Sequence, residues 1–139
     1  MRFQDAVEIA APAQQVFDVW ADVEGWPEWT SSVTSVQRLD EGPLRVGSRA
    51  RVRQPGLPTA VWEVTELVPG EYFTWVARGP GLRTTGRHQV SPTAVGTVAV
   101  TATLDQEGPL GWLVGQVYRG LTDRYLQTEV RGIKAHCER

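Results

Sequence analysis

Two histidines, one cysteine and three tyrosines are the residues here best suited to acid–base or nucleophilic chemistry, and their spacing decides how much of it they can perform. His88 lies in LRTTGRHQV, where it shares parity with Leu82, Thr84, Gly86 and Val90, while Arg83, Thr85, Arg87 and Gln89 take the other side. If that segment is a strand, His88 points with the apolar set, where it either orients a ligand or is satisfied by a neighbouring group. No carboxylate partner for it is evident from the sequence. Tyr118 and Tyr125 are almost two helical turns apart, a spacing that suits one wall of a cavity or plain core packing. His136 and Cys137 sit near the C-terminus; a lone cysteine excludes an internal disulfide and a cysteine-based zinc site. There is no GxSxG elbow, phosphate loop or HExxH. The expectation is therefore no metal, no cofactor and no ready-made catalytic constellation.

The formal net charge of −2 and the scatter of thirteen arginines along apparent strands leave no footprint for nucleic acid. Hydrophobic residues make up 41% of the chain and charged ones 22%, ordinary values for a globular protein, and no apolar run approaches the ~20 residues of a membrane span. No stable membrane insertion is expected. MRFQDAVEIAA alternates like a strand and lacks the layout of a signal peptide, so a cytoplasmic location is expected. The 139 residues suit one domain, 1–139, as a monomer or homodimer, with no repeat and no long linker.

The elements that must position the candidates follow from periodicity. Phe3, Asp5, Val7 and Ile9 alternate along an opening strand. AAPAQQVFDVWADV then takes helical spacing, with Pro12 suited to the first turn and Val16, Phe17, Trp20 and Val23 on about one face. After WPEW the period returns to two in SSVTSVQRL, GSRARVRQ, TAVWEVTEL, EYFTWVAR, LRTTGRHQV and GTVAVTATL, separated by Gly- and Pro-bearing turns. Six more antiparallel strands are predicted. The chain closes with a predicted single helix from about Pro109 to His136, whose apolar stripe is Leu110, Leu113, Val114, Val117, Tyr118, Leu121 and Tyr125. Gly111, Gly115 and Gly120 lower its intrinsic propensity by about 1 kcal/mol each, so packing on the sheet must hold it.

Strand parity separates a face bearing Ala50, Val52, Trp62, Val64, Phe73, Trp75, Ala77, Val98, Val100 and Ala102 from one bearing charged and hydroxylated residues. The first face should meet the long helix. Small residues such as Ala50, Ala77, Gly86 and Ala102 would fail to fill the space under a curved sheet, although close packing is the usual state of an interior. Gln54 and Glu66 share the inward parity near strand ends, where rim or solvent is their expected place.

This order resembles the SRPBCC or START-like superfamily, within it the polyketide cyclase/dehydrase-like branch. The resemblance rests on IAAPAQQVFDVWADVEGWPEW, WEVTELVPGEYFTW, HQVSPTAVGTVAVT and the GPLGWL start of the last helix, which together cover nearly the whole chain. It implies an α+β helix-grip fold (START-like, Bet v 1-like): a curved seven-stranded antiparallel sheet wrapped on a long C-terminal helix, with two short helices after the first strand. It also implies that Trp26 and Trp29 wedge the short-helix pair beneath the sheet rim, or that Trp26 edges the mouth of a hydrophobic cavity. The ligand-binding set expected around that cavity is Trp26, Trp62, Val64, Trp75, Ala77, Thr84, His88, Val117, Tyr118, Leu121 and Tyr125, with catalytic residues left open. The function expected is binding of an apolar lipid-like or polyketide-like small molecule. The alternatives are a cyclase or dehydratase using the same cavity and, more weakly, a protein-interaction role like that of the Hsp90-activator relatives, which a large exposed apolar patch would support.

Overall fold

The computed structural model describes residues 1–139. The opening alternation forms β1 (Arg2–Ile9), which buries Phe3 and Ile9. Helix α1 (Ala13–Ala21) follows, with Pro12 at its N-cap and Val16, Phe17 and Trp20 buried. A 3-10 segment, Val23–Glu28, completes the V, with Pro27 inside it and Val23 and Trp26 buried. Then come β2 (Ser35–Arg38), β3 (Arg49–Arg53), β4 (Ala60–Val68), β5 (Tyr72–Gly79), β6 (Leu82–Pro92) and β7 (Val98–Glu107). All seven strands form one antiparallel sheet in the order β1-β7-β6-β5-β4-β3-β2, the helix-grip arrangement expected from the sequence.

A bulge in β4 alters the expected facing. Val64 pairs with Trp75 but Glu66 pairs with Thr74, so Thr65 is the extra residue and everything after it changes side. Glu66, expected on the inward parity, is exposed, and Leu67 turns inward opposite Phe73. On β5 the outward-parity residues Thr74 and Val76 are buried along with Phe73 and Trp75. That strand sits in the middle of the sheet, with three strands on either side.

The single C-terminal helix of the sequence reading is two helices. α2 (Gly111–Val117) ends at Tyr118, whose φ of −102° and ψ of 13° break the helical path, and α3 (Arg119–Cys137) continues along the sheet. The buried side of α3 is Thr122, Leu126, Glu129, Val130, Ile133 and Cys137. It reaches β1 and β7, and its C-terminus is tied to the edge strand: Lys134 Nζ donates to the Glu8 carbonyl at 2.8 Å and the Ala10 amide to Glu138 at 2.8 Å. The expected inward stripe on α2 is reversed. Leu113 and Val117 are 53% and 68% exposed, while Gly111 and Gly115 are buried against Gln106 and Met1. The glycines permit the closest approach to the sheet, and that contact, not the apolar stripe, sets the rotation of α2.

Candidate functional site

The V of α1 and the 3-10 segment carries Trp20 and Trp26 under the sheet, and both indole N–H groups are used in positioning. Trp26 Nε1 donates to the Trp20 carbonyl at 2.9 Å, which braces the two arms. Trp20 Nε1 donates to Glu129 Oε2 at 2.9 Å, which joins the V to α3. Trp26, only 3% exposed, also packs tilted against Trp29 and Trp75, so it both wedges the V and touches the sheet's concave face.

His88 lies at the centre of this aromatic group. Its ring stacks on Phe73 at 4.2 Å and meets Trp20, Trp26 and Trp75 edge-on at 5.0, 5.4 and 5.5 Å. Nδ1 is 3.2 Å from the Phe73 carbonyl, which can only accept, so Nδ1 carries the proton and Nε2 presents a lone pair. Complete burial holds the imidazole neutral, lowering its pKa to about 3 against a weaker opposing effect of that hydrogen bond.

The partner that sequence reasoning missed is Glu129. Its Oε2 lies 3.9 Å from His88 Nε2, too far for a direct hydrogen bond but close enough for both groups to grip one ligand atom or a bridging group. Burial pushes the Glu129 carboxyl up to about 7, partly offset by the hydrogen bond from Trp20. Near neutral pH the pair is thus a carboxyl able to give a proton beside a neutral imidazole whose lone pair accepts a hydrogen bond. A signal for Glu129 was present: Tyr118, Thr122, Tyr125 and Glu129 repeat at i+4 and i+3, continuing the tyrosine stripe by one turn.

Between the concave sheet face and α3 is a space of about 550 Å³. Of the expected residues, Trp26, Trp62, Trp75, Ala77, Thr84, His88, Tyr118 and Tyr125 line it together with Glu129, Gln54 and Gln106. Val64, Val117 and Leu121 do not: Val64 is sealed in the core at 1% exposure, Val117 points outward because α2 is rotated, and Leu121 packs toward Gly56. Gly86 is where the indoles gain their room, since a Cβ there would meet Trp75 Nε1 at 3.1 Å and Trp62 at 3.6 Å. Trp62 and Trp75 lie 5.5 Å apart with planes tilted by 32°, a shelf on which a flat apolar body can rest. The outer end is framed by Leu57, Pro58, Pro80 and Leu82, and the Tyr125 hydroxyl donates to the Pro55 carbonyl, closing the β3–β4 loop against α3. Gln54 is held at this rim by donating to the Ser32 carbonyl at 3.2 Å. No cluster of His, Cys, Asp or Glu has the geometry to hold a metal ion, and no helix is long and apolar enough to cross a membrane.

Comparison with known proteins agrees with this architecture. The profile of the family described as "Polyketide cyclase / dehydrase and lipid transport" matches residues 1–138. Among solved structures, the Zhui aromatase/cyclase from Streptomyces sp. R1128 superposes with a TM-score of 0.80 at 17% identity, covering 100% of this chain and 94% of that one. A START superfamily protein from Mycobacterium smegmatis gives 0.74 at 18% identity over 99% and 97%. A Deinococcus radiodurans protein gives 0.69 at 23% identity over 99% and 98%. At these identities the likeness is one of fold. Uncharacterised proteins from Mycobacterium bovis and Mycobacterium tuberculosis are 29% identical over 75 residues, which is 54% of this chain and 43% of theirs, so the match spans less than half of those relatives' length.

Proposed function

We propose, from the premise that the chain belongs to the polyketide cyclase/dehydrase and lipid-transport family, that it holds one apolar small molecule between the sheet and α3. The observation that supports this reading is the lining of the 550 Å³ space: three indoles and two phenols surround it, and its inner end carries the Glu129 and His88 pair. That volume is within the range of ligand pockets, and an apolar lining with a few convergent polar groups is how such pockets orient their contents. A ligand body would stack on Trp62 and Trp75 while one carbonyl or hydroxyl reached the inner pair, taking a hydrogen bond from the Glu129 carboxyl or giving one to His88 Nε2.

The test is a titration with the apolar fluorophore N-phenyl-1-naphthylamine, read by quenching of tryptophan emission, on the wild type and on Ala77→Phe. Ala77 faces the space between Trp62 and Thr84 in the sheet register. Saturable binding that weakens at least about tenfold in the filled variant, with its melting temperature kept, is expected. Equal affinity in the two proteins refutes it.

A second reading, a cyclase or dehydratase in the same cavity, is favoured by one observation: the Glu129 carboxyl lines the cavity, fixed by the Trp20 indole and 3.9 Å from His88 Nε2, and burial pushes its pKa up toward the range of general acid–base work at neutral pH. His88, held near 3, is a weak base, so Glu129 carries the proton in this reading and His88 accepts a hydrogen bond. Glu129→Gln would then keep probe affinity while dehydration of a β-hydroxy ketone falls roughly 100-fold. No turnover by the wild type would leave the binding reading alone.

A further inference from the structure

The sheet register divides the concave face into rows along the cavity. At the inner end Phe73, His88 and Ala102 are partners on β5, β6 and β7. Trp75, Gly86 and Leu104 come next, and the outer row is Trp62, Ala77, Thr84 and Gln106 on β4 to β7. Pairing is unbroken from His88 to Thr84, so the outer row lies four residues from the inner one, about 13 Å at ~3.3 Å per residue. On the facing side, α3 brings Glu129, Leu126 and Thr122 to the same space. Thr122 precedes Glu129 by seven residues, about 10 Å at ~1.5 Å per residue.

Gln106 is a side chain that the fold does not satisfy. It is 8% exposed and lines the cavity, yet its Oε1 has no hydrogen-bond partner. Gly115 makes room for it, since a Cβ there would meet that oxygen at 3.1 Å. A buried amide left unpaired costs stability that an aliphatic side chain of similar volume would not, so this amide suits a partner that arrives with a ligand. Two hydroxyl residues share its end of the cavity: Thr84, its register partner, and Thr122, itself 8% exposed. Between the two ends the walls are Trp75, Gly86, Leu104 and Leu126, whose one side-chain polar atom is the Trp75 indole nitrogen, lying against Gly86. A chain with oxygens along its whole length would leave most of them unpaired there. A chain with a single polar head would leave Gln106 unpaired.

We propose that Gln106, with Thr84 and Thr122, is a second polar anchor at the outer end of the cavity, and that the ligand is a two-headed elongated molecule with a hydroxyl or carbonyl at each end. Its two oxygens are about 10–13 Å apart, and the body between them is apolar. The inner oxygen meets Glu129 and His88, and the outer one meets the Gln106 amide. This rests on the cavity holding a small molecule, as proposed above, and specifies its class.

The experiment compares trans-stilbene, 4-hydroxystilbene and 4,4′-dihydroxystilbene, rigid rods of one body with no, one and two terminal hydroxyls, by fluorescence titration of the wild type and of Gln106→Leu. In the wild type the diphenol should bind at least about tenfold more tightly than the monophenol. In Gln106→Leu the diphenol should fall to the level of the monophenol, whose own affinity stays at the wild-type value. The melting temperature of that variant should be no lower than the wild type's, because an unpaired amide has been removed. NMR of the wild type gives a reading that needs no variant: the Gln106 side-chain N–H₂ signals should shift with the diphenol and not with the monophenol. Equal affinity of the two phenols, an advantage of the diphenol that survives Gln106→Leu, or unmoved Gln106 signals overturns the proposal. If naphthylamine still binds saturably in the cavity, such a result removes the second anchor alone; if neither naphthylamine nor any stilbene binds, the cavity reading falls with it.

Discussion

Exchanging Glu129 or His88 for glutamine should change the pH dependence of stability in opposite directions. Burial raises the Glu129 carboxyl from 4.5 to about 7, so the native state binds that proton more tightly than the unfolded chain. The stability this contributes is full below pH 4.5 and is lost as pH rises through about 7, an amount of about 3 kcal/mol at ~1.4 kcal/mol per pH unit. For His88 burial lowers the pKa from 6.5 to about 3, so its contribution is full above pH 6.5 and is lost as pH falls toward 3, about 5 kcal/mol in all. Between pH 4.5 and 6.5 the two slopes cancel, and the wild type should be nearly flat there. His88→Gln unmasks the Glu129 arm: stability should fall by about 3 kcal/mol from pH 4.5 to 8. Glu129→Gln unmasks the histidine arm, so stability should rise from pH 3 to 6.5. Asp40 and Glu138, whose carboxyls are held low chiefly by backbone amides of Arg49 and Ala10, add an acid-side loss common to all three proteins. The assay is urea unfolding across this pH range, with each variant referred to the wild type at the same pH. That difference between pH values removes any constant packing cost of the substitution. Parallel pH profiles for the three proteins would refute the assignment of a neutral histidine beside a carboxyl.

Trp20→Phe removes the hydrogen bond that holds the Glu129 carboxyl down, so the protonated-carboxyl band in infrared spectra should persist to higher pH than in the wild type. Gly132→Ala should destabilise the fold by about 1–3 kcal/mol in chemical unfolding despite alanine's better helix propensity, because a Cβ there would run into the Trp29 carbonyl oxygen. Tyr125→Phe removes the tether between α3 and the β3–β4 loop, and amide exchange at Leu57 and Thr59 should speed up while core strands stay protected.

Much of this fold was legible because its strands alternate strictly and its turns carry glycine and proline. All six later strands and the helix after β1 fall where periodicity puts them, and the second arm of the V falls where the family resemblance implies it. The bulge at Thr65 was not legible, since one inserted residue leaves the alternation of Trp62, Val64 and Glu66 unbroken in the sequence while reversing the facing in space. The rotation of α2 was hidden for a different reason. An apolar stripe ordinarily marks the buried face, and here Gly111 and Gly115 pack more closely than Leu113 and Val117 can, which sends Val117 to solvent. His88 was visible as a titratable group in the middle of a strand on the inward parity, where Glu66 lay near a strand end. Its partner left only the helical spacing from Tyr125 as a signal, because a glutamate on a helix ordinarily reads as solvated, and the indole of Trp20 that accompanies its burial is 109 residues away in sequence.

The most direct test of a ligand-holding cavity is where a bound apolar molecule sits. Isotope-filtered NMR on the protein with N-phenyl-1-naphthylamine at saturation locates it through contacts between probe protons and protein methyl and indole groups. The account predicts contacts to Ala77, Val52 and Leu126 and to the Trp62 and Trp75 indoles, all of which line the space between sheet and α3. Saturable binding whose contacts are confined to Trp112, Leu113 and Val117, with none to Trp75 or Ala77, would contradict it.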